Sequence, residues 1–118
     1  MATIFIIEDD ISLQKLYDMI LSTSGHQVVG LANNGEEGVK LYESFSVKPE
    51  IIIMDHRMPI KNGIEATKEI LKISNHSKII FASADNSIKN LALSIGASKF
   101  IEKPFSMEKF LKIIENIL

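Results

Sequence analysis

Residues 51–59 of the chain read IIIMDHRMP. The four apolar residues at 51–54 are typical of a β-strand that is buried on both faces, as in a parallel sheet covered by helices. Asp55 follows this run directly, His56 and Arg57 come next, and Pro59 ends the extended segment. The stretch therefore predicts a buried strand that presents a carboxylate at its carboxyl end.

The same kind of strand recurs along the chain, in alternation with segments of helical periodicity. Runs rich in Ile and Val lie at 3–7, 27–31, 50–54, 78–82 and 98–101. Apolar residues at helical spacing lie between and after them, at 13–21, 41–45, 64–71, 88–95 and 107–118. Leu16 and Leu91 are among the residues expected to face inward. Five β-α units predict an α/β fold with a doubly wound parallel sheet, because parallel strands need long right-handed crossovers.

Two features of the second unit need interpretation. Asn34-Gly35 is a strong hairpin signal in isolation, but the helical pattern that follows favours a turn from strand into helix. Gly38 lies inside that helix and is expected to weaken it by roughly 0.5–1 kcal/mol relative to Ala.

Length and composition limit the possible classes of protein. The 118 residues suffice for a single core, and we expect one domain spanning residues 1–118. The formal net charge of −2, without a Lys/Arg cluster, argues against direct binding of nucleic acid. The absence of cysteine excludes disulfides, zinc ribbons and thiol nucleophiles and fits a reducing compartment. The apolar run at 4–7 is too short for a membrane span or signal peptide, so we expect a cytoplasmic protein that does not bind membranes.

Polar residues gather where the predicted strands end. In an open parallel sheet, ligands bind outside the carboxyl ends of the strands. The residues that follow strands one, three, four and five are Glu8-Asp9-Asp10, Asp55, Ser83-Ala84-Asp85 and Glu102-Lys103-Pro104. Several carboxylates, one hydroxyl and one lysine therefore converge on one edge of the sheet.

This set of side chains favours a magnesium site that accepts a phosphoryl group. Crowded carboxylates repel one another unless a cation binds among them, and Mg²⁺ prefers carboxylates, water and phosphate oxygens. The three histidines, His26, His56 and His76, are scattered, so a zinc site is not expected. Lys103 suits a phosphate oxygen as a point charge, and Ser83 suits one as a hydrogen-bond donor. Such a site can form an aspartyl phosphate.

The chain resembles, over essentially all of its length, the receiver domains of two-component response regulators. The resemblance rests on motifs that are weak alone but specific in this order. They are the Glu8-Asp9 pair, MDHRMP at 54–59, Gly63, SA at 83–84 and GASKFIEKPF at 96–105. The resemblance implies a CheY-like, flavodoxin-like (βα)5 fold with strand order 2-1-3-4-5.

The resemblance also implies roles for the acidic residues. Asp55 is expected to be the phosphoacceptor, which attacks the phosphohistidine of a histidine kinase or phosphotransfer protein. The cofactor is expected to be Mg²⁺ or Mn²⁺. Asp9 and Asp55 are expected to bind the metal, Glu8 to hold it mainly through water, and Arg57 to add its backbone carbonyl.

Other residues are expected to sense the phosphoryl group. By the same resemblance, Lys103 forms an ion pair with it, Ser83 donates a hydrogen bond, and the Lys103-Pro104 peptide is cis. Phe100 takes the place of the aromatic switch residue, which turns inward and reshapes the surface of helix four, strand five and helix five. That surface is expected to bind a downstream protein or a second copy of the chain. Leu93, expected to point outward from helix four, suits such a contact, although a single exposed Leu needs no explanation.

Residues beside the site have more specific interpretations. Asp10 is expected to cap the following helix rather than bind metal, and strand alternation aims His56 away from Asp55. Arg57 and Asp85 occupy two positions that tune the site in this family. Their opposite charges predict an ion pair over its mouth that slows hydrolysis of the phosphoryl group. The alternative is two solvated side chains, since an exposed pair contributes only about 0–1 kcal/mol.

Three other functions are alternatives to a receiver domain. A flavodoxin-type FMN binder needs a phosphate-cradling loop after strand one, where Glu8-Asp9-Asp10 would repel phosphate. A haloacid-dehalogenase-type phosphatase also uses Asp and Mg²⁺, but its nucleophile lies in a D-x-D motif after strand one. A scaffold that is never phosphorylated is a further alternative. The sequence leaves open the cognate kinase, the output, and whether the chain acts alone or within a longer regulator.

Overall fold

The computed structural model describes all 118 residues, with strands and helices in strict alternation. The strands are β1 (Thr3–Ile7), β2 (Gln27–Ala32), β3 (Ile51–Met54), β4 (Lys78–Ser83) and β5 (Lys99–Glu102). The helices are α1 (Ile11–Thr23), α2 (Gly35–Ser44), α3 (Gly63–Ile73), α4 (Lys89–Ser94) and α5 (Met107–Ile117). All strand pairs are parallel, in the order β2-β1-β3-β4-β5, which confirms the predicted fold and strand order. None of the helices combines the length and apolarity that a membrane span requires.

Strand alternation divides the core into two layers, one on each face of the sheet. The α1–α5 face comprises Ile4, Ile6, Ile51, Ile53, Ile80, Ala82 and Ile101 of the strands with Tyr17, Ile20, Leu21, Phe110, Ile114 and Ile117 of the helices. The α2–α4 face comprises Phe5, Ile7, Ile52, Met54, Ile79 and Phe81 of the strands with Tyr42, Ile64, Ala66, Ile70 and Ala92 of the helices. The central strand β3 contributes to both layers and is buried along its length, as its continuous apolar run predicts.

The helix starts follow from local side-chain chemistry. Asp10 caps α1, because its carboxylate accepts a hydrogen bond from the Leu13 N–H at 3.1 Å. This confirms the capping interpretation. Asn34 caps α2 in the same way, so Asn34-Gly35 is a strand-to-helix turn, as predicted. A Cβ at Gly38 would lie 2.7 Å from Ile7 Cδ1, so this glycine allows α2 to approach β1 closely.

Two residues expected to face inward are exposed instead. Leu16 of α1 is 41% exposed and Leu91 of α4 is 48% exposed, so both expectations are wrong. The helix α4 is short and follows a 3₁₀ turn at Asn86–Ile88, which advances each residue by a larger angle than an α-helix does. Ala92 is the buried residue of α4, and Ile88 and Ile95 pack against the core on either side of it at helical spacing, which leaves Leu91 at the edge of that face. Leu93 is 38% exposed, as predicted.

Candidate functional site

Three charged side chains meet at the carboxyl end of the sheet. Glu8, Asp55 and Lys103 follow β1, β3 and β5, each in phase with the strand residues of the α1–α5 face. Lys103 Nζ lies 2.9 Å from Glu8 Oε1 and 3.2 Å from Asp55 Oδ1. One ammonium group therefore bridges two buried carboxylates, and the backbone between Lys103 and Pro104 is cis, as expected.

Asp9 adds a third carboxylate on the solvent side of this pair. Carboxylate oxygens of Glu8, Asp9 and Asp55 all lie within 4.8 Å of one another. Glu8 is 1% exposed and Asp55 7% exposed, whereas Asp9 is open to solvent. A cluster of carboxylate oxygens that water can reach is the donor set that Mg²⁺ uses, whereas zinc sites are built mainly from nitrogen and sulfur ligands. The residues present therefore fit a hard divalent cation.

Burial and crowding oppose the ionisation of Asp55. Burial, followed by the charge of Glu8, raises the pKa of Asp55 to about 7, and the charge of Lys103 offsets only part of this rise. Burial also acts to lower the pKa of Lys103, but its hydrogen bonds to the two carboxylates and their charges outweigh burial, so that pKa is raised. The single positive charge of Lys103 thus does not neutralise the carboxylates of the cluster. A bound cation would stabilise the ionised form of Asp55.

The loop after Asp55 is fixed by backbone contacts. The His56 N–H donates to Asp55 Oδ1 at 2.9 Å, and the Gly63 N–H donates to the His56 carbonyl at 2.9 Å. A Cβ at position 63 would lie 2.2 Å from the backbone oxygen of Asp55, which leaves room for glycine only. The first turn of α3 therefore packs directly against the peptide of Asp55.

Ser83 and Phe100 lie on the α2–α4 face. Ser83 Oγ accepts a hydrogen bond from the Asp85 N–H at 3.0 Å and donates to no protein group. Ser83 lines the same cleft as Asp55 and Lys103. Phe100 is partly buried and lies opposite Phe81 in the β4–β5 pairing. The structure thus brings the hydroxyl and the ammonium into one cleft with the carboxylates.

A family model for the response regulator receiver domain matches residues 4–115. The chain belongs to this family. It is 35% identical over 116 residues to the chemotaxis protein CheY of Thermotoga maritima, covering 97% of this chain and 95% of the relative. It is 36% identical over 117 residues to CheY of Bacillus subtilis, covering 98% and 96%. A chain in the crystal structure of the CheX–CheY–BeF3–Mg complex of Borrelia burgdorferi has a TM-score of 0.92 at 26% identity, covering 98% of this chain and 87% of that chain.

In this receiver domain, Arg57 and Asp85 form the ion pair that their charges predict. Arg57 Nη2 lies 3.1 Å from Asp85 Oδ2, and the pair joins the loop after β3 to the loop after β4. The Arg57 side chain is 81% exposed. A hydrogen bond from Ser87, followed by one from Arg57, lowers the pKa of Asp85. The contact is therefore observed, whereas its effect on hydrolysis stays a prediction.

His56 lies on the other face of the sheet from the Asp55 side chain, as strand alternation predicts. Its ring centroid is 6.5 Å from that of Phe81, and its buried Nδ1 has no hydrogen-bond partner. Burial lowers the pKa of His56, which favours the neutral ring. The histidine packs against the core and contributes no side-chain group to the acidic cluster.

Two residues of α1 were missed by sequence reasoning. Gln14 is 5% exposed, and its amide donates to the carbonyls of Glu8 and Ala32 and to the side chain of Asn33, which fixes the loop before α1. Tyr17 is 2% exposed, and its hydroxyl has no partner. The position of Gln14 within an apolar stripe could have indicated its structural role. Tyr17 fits the apolar stripe, so nothing in the sequence distinguished it.

Proposed function

We propose that Asp55 accepts a phosphoryl group from the phosphohistidine of a histidine kinase or phosphotransfer protein. A carboxylate oxygen of Asp55 attacks phosphorus, the bond from phosphorus to the imidazole nitrogen breaks, and the imidazole takes up a proton. The observation that carries this proposal is the position of Asp55, 3.2 Å from Lys103 Nζ and within 4.8 Å of two further carboxylates. The chain is thus a signalling protein whose aspartate is modified rather than an enzyme that turns over a substrate.

Glu8, Asp9 and Asp55 would hold Mg²⁺ or Mn²⁺, and the backbone carbonyl of Arg57 would be a further ligand. When bound, the ion neutralises negative charge that gathers between the carboxylates and the phosphoryl oxygens. Lys103 would turn from Glu8 toward a phosphoryl oxygen and donate to it the N–H that now bonds Glu8 Oε1. The hydroxyl of Ser83 donates to no protein group and would donate its proton to a second phosphoryl oxygen.

A change at Ser83 would affect Phe100 and, through it, the α4–β5–α5 surface. Ser83 and Phe100 share the α2–α4 face on the paired strands β4 and β5, so movement of the Ser83 hydroxyl toward the phosphoryl group would leave space on the side of the sheet that holds the ring of Phe100. We propose that Phe100 turns inward and that the α4–β5–α5 surface then binds a downstream protein or a second copy. Leu93 and Leu91, both exposed on α4, would contribute apolar contacts.

Incubation with Mg²⁺ and acetyl phosphate tests the phosphoacceptor role. Mass spectrometry is expected to show the gain of one phosphoryl group, absent in Asp55→Asn and after chelation of the metal. Asp10→Asn is a matched control, because asparagine also caps helices and Asp10 serves as the cap of α1. It is expected to retain the mass gain. Steady hydrolysis of added phosphate esters would instead support a phosphatase, and no mass gain would support an unphosphorylated scaffold.

We further propose that the Arg57–Asp85 pair hinders the water that hydrolyses the phosphoryl group. Because an exposed pair contributes about 0–1 kcal/mol, Arg57→Ala and Asp85→Ala should each accelerate dephosphorylation by up to about fivefold. Lys40→Ala, which removes the exposed Lys40–Glu36 pair of α2, is the control. An unchanged half-life in both site variants contradicts the proposal.

Phosphorylation-dependent self-association, measured by sedimentation, tests the α4–β5–α5 surface. Leu93→Glu should reduce it, whereas Val47→Glu, at an 83% exposed position remote from α4, should not. Equal association of parent and Leu93→Glu removes the contact role of Leu93.

Three further expectations stay predictions. Limited proteolysis tests whether residues 1–118 form a single receiver domain, cell fractionation tests the cytoplasmic location, and a mobility-shift assay tests the lack of direct nucleic-acid binding.

A further inference from the structure

The two tyrosines of the chain are both buried but differ in their hydrogen bonding. Tyr42 is 0% exposed, and its hydroxyl lies 2.9 Å from Ser77 Oγ. Tyr17 is 2% exposed, and its hydroxyl has no partner. A buried hydroxyl without a partner is unfavourable, since it has lost water and gained nothing in exchange. Tyr17 therefore calls for an explanation that Tyr42 does not need.

Tyr17 lies next to the phosphorylation site, on the same face of the sheet. Its ring stacks on Phe105 with centroids 6.0 Å apart and an interplanar angle of 13°. Tyr17 lines an apolar groove between α1 and the loop after β5, and two residues of that groove, Leu13 and Lys103, also line the acidic cleft. Burial, and then the charges of Glu8, Asp55 and Asp10, raise the pKa of Tyr17, which agrees with a hydroxyl close to these carboxylates.

The partners of Glu8 change if Asp55 is phosphorylated. Glu8 Oε1 now accepts a hydrogen bond from Lys103 at 2.9 Å, and Oε2 accepts one from the Asp10 N–H at 3.1 Å. Once Lys103 turns to the phosphoryl group, Glu8 Oε1 loses this donor. Because Glu8 is 1% exposed, bulk water does not readily replace the Lys103 donor at Oε1.

Tyr17 is the unpartnered donor on the correct side of the sheet to replace Lys103. The other two buried polar side-chain atoms without a partner belong to His56 and Thr67. His56 packs beside Phe81, and Thr67 lies on α3, so both belong to the α2–α4 face. Glu8 and Tyr17 share the α1–α5 face.

We propose that the Tyr17 hydroxyl donates a hydrogen bond to Glu8 when Lys103 is drawn to the phosphoryl group. Tyr17 is then a positioning residue of the phosphorylated state, which keeps the Glu8 carboxylate oriented toward the metal site. This inference rests on the proposed phosphorylation of Asp55. It also explains why the Tyr17 hydroxyl is buried without a hydrogen-bond partner in the unphosphorylated protein.

Tyrosine fluorescence reports on this hydrogen bond directly, because the chain contains no tryptophan and only two tyrosines. Tyr42→Phe leaves Tyr17 as the only strong fluorophore, and Tyr17→Phe leaves Tyr42. With Mg²⁺ already present, addition of beryllofluoride, a mimic of the phosphoryl group, should quench the emission of Tyr17, since a phenol hydrogen-bonded to a carboxylate emits weakly. The emission of Tyr42 should not change.

Thermal unfolding of the same two variants gives a second readout. Tyr17→Phe removes an unpartnered hydroxyl, so its Tm without ligand should equal or exceed that of the parent, while its affinity for beryllofluoride falls about tenfold with the loss of one charge-assisted hydrogen bond. Tyr42→Phe should lower the Tm and leave that affinity unchanged. A purely structural role of Tyr17 would not weaken beryllofluoride binding.

The outcomes separate this inference from the proposed function. If beryllofluoride with Mg²⁺ raises the Tm of the parent but binds Tyr17→Phe equally well, and Tyr17 emission does not change, the inference is overturned and the phosphoacceptor role stands. If beryllofluoride does not bind the parent, the proposed function fails, and this inference fails with it.

Discussion

The amino and carboxyl ends of the sheet differ in how completely their polar side chains are paired by hydrogen bonds and opposite charges. At the amino end, Thr3 and Glu50 exchange hydrogen bonds between backbone and side chain at 3.1 and 3.0 Å. Ser77 joins Tyr42 to the carbonyl of Pro49. At the carboxyl end, one lysine faces three clustered carboxylates. The buried side-chain atoms without partners are on Tyr17 in the middle of α1, on His56 in the loop after β3 and on Thr67 in the second turn of α3.

This difference shows which end of the sheet leaves charged and polar groups unbalanced. A closed set of hydrogen bonds at the amino end stabilises the domain without external groups. The carboxyl end gathers an excess of negative charge that a cation would balance, and such local inconsistency is typical of functional sites. The stability of variants at the carboxyl end is therefore expected to depend on Mg²⁺, whereas that of variants at the amino end is not.

The largest effect on stability is expected at Lys103. Lys103→Met leaves two buried carboxylates without their shared cation, so the free energy of unfolding without metal should fall by about 3 kcal/mol. Mg²⁺ should restore much of that loss by supplying positive charge. Urea unfolding with EDTA and with Mg²⁺ measures both values, and an equal loss under the two conditions would contradict the idea of an unbalanced carboxyl end.

A smaller effect, opposite in sign, is expected for Asp55→Asn without metal. The native pKa of Asp55, about 7, lies above its ordinary value of 3.8, so between these values the native state binds more protons than the unfolded state. This group therefore lowers stability as the pH rises through about 7. The variant should gain stability relative to the parent between pH 5 and 8, by about 2 kcal/mol.

Unfolding of both proteins in EDTA at the two pH values checks this expectation. Added Mg²⁺ should stabilise the parent and have little effect on the variant. A variant that is no more stable than the parent at the higher pH would show that Lys103 already balances the cluster.

The smallest effects are expected from a pair of matched hydroxyl deletions. Tyr42→Phe breaks a satisfied hydrogen bond and should lower the free energy of unfolding by about 1 kcal/mol. Thr67→Val removes a buried hydroxyl that has no partner and should change stability by less than about 1 kcal/mol, in the stabilising direction. Chemical unfolding at constant Mg²⁺ measures both, and equal losses would remove the distinction between the two ends.

Much of this architecture is visible in the sequence because its signals are local. The run at 51–54 is apolar at every position, which only a strand buried on both faces requires, and the residues of the cluster follow strand ends directly. Alternation within β3 also separates His56 from the side chain of Asp55. These inferences need no knowledge of how the helices are oriented.

The parts that failed or were missed depend on the orientation of helices. Leu16 of α1 and Leu91 of α4 lie at the edges of their apolar stripes and are exposed, because apolar spacing alone does not fix the rotation of a helix about its axis. Tyr17 fits an apolar stripe whether or not its hydroxyl has a partner. Only three-dimensional placement distinguishes it from Tyr42.

The close packing of Gly63 against the carbonyl of Asp55 has a consequence for recognising inactive relatives. A methyl group at this position would collide with the peptide of Asp55, so a Gly63→Ala chain would retain every charged residue of the site and still displace Asp55. A survey that scores only the acidic pair, the aspartate and the lysine would count such a chain as intact. The glycine should therefore be read as part of the site, on the same footing as the groups that carry charge.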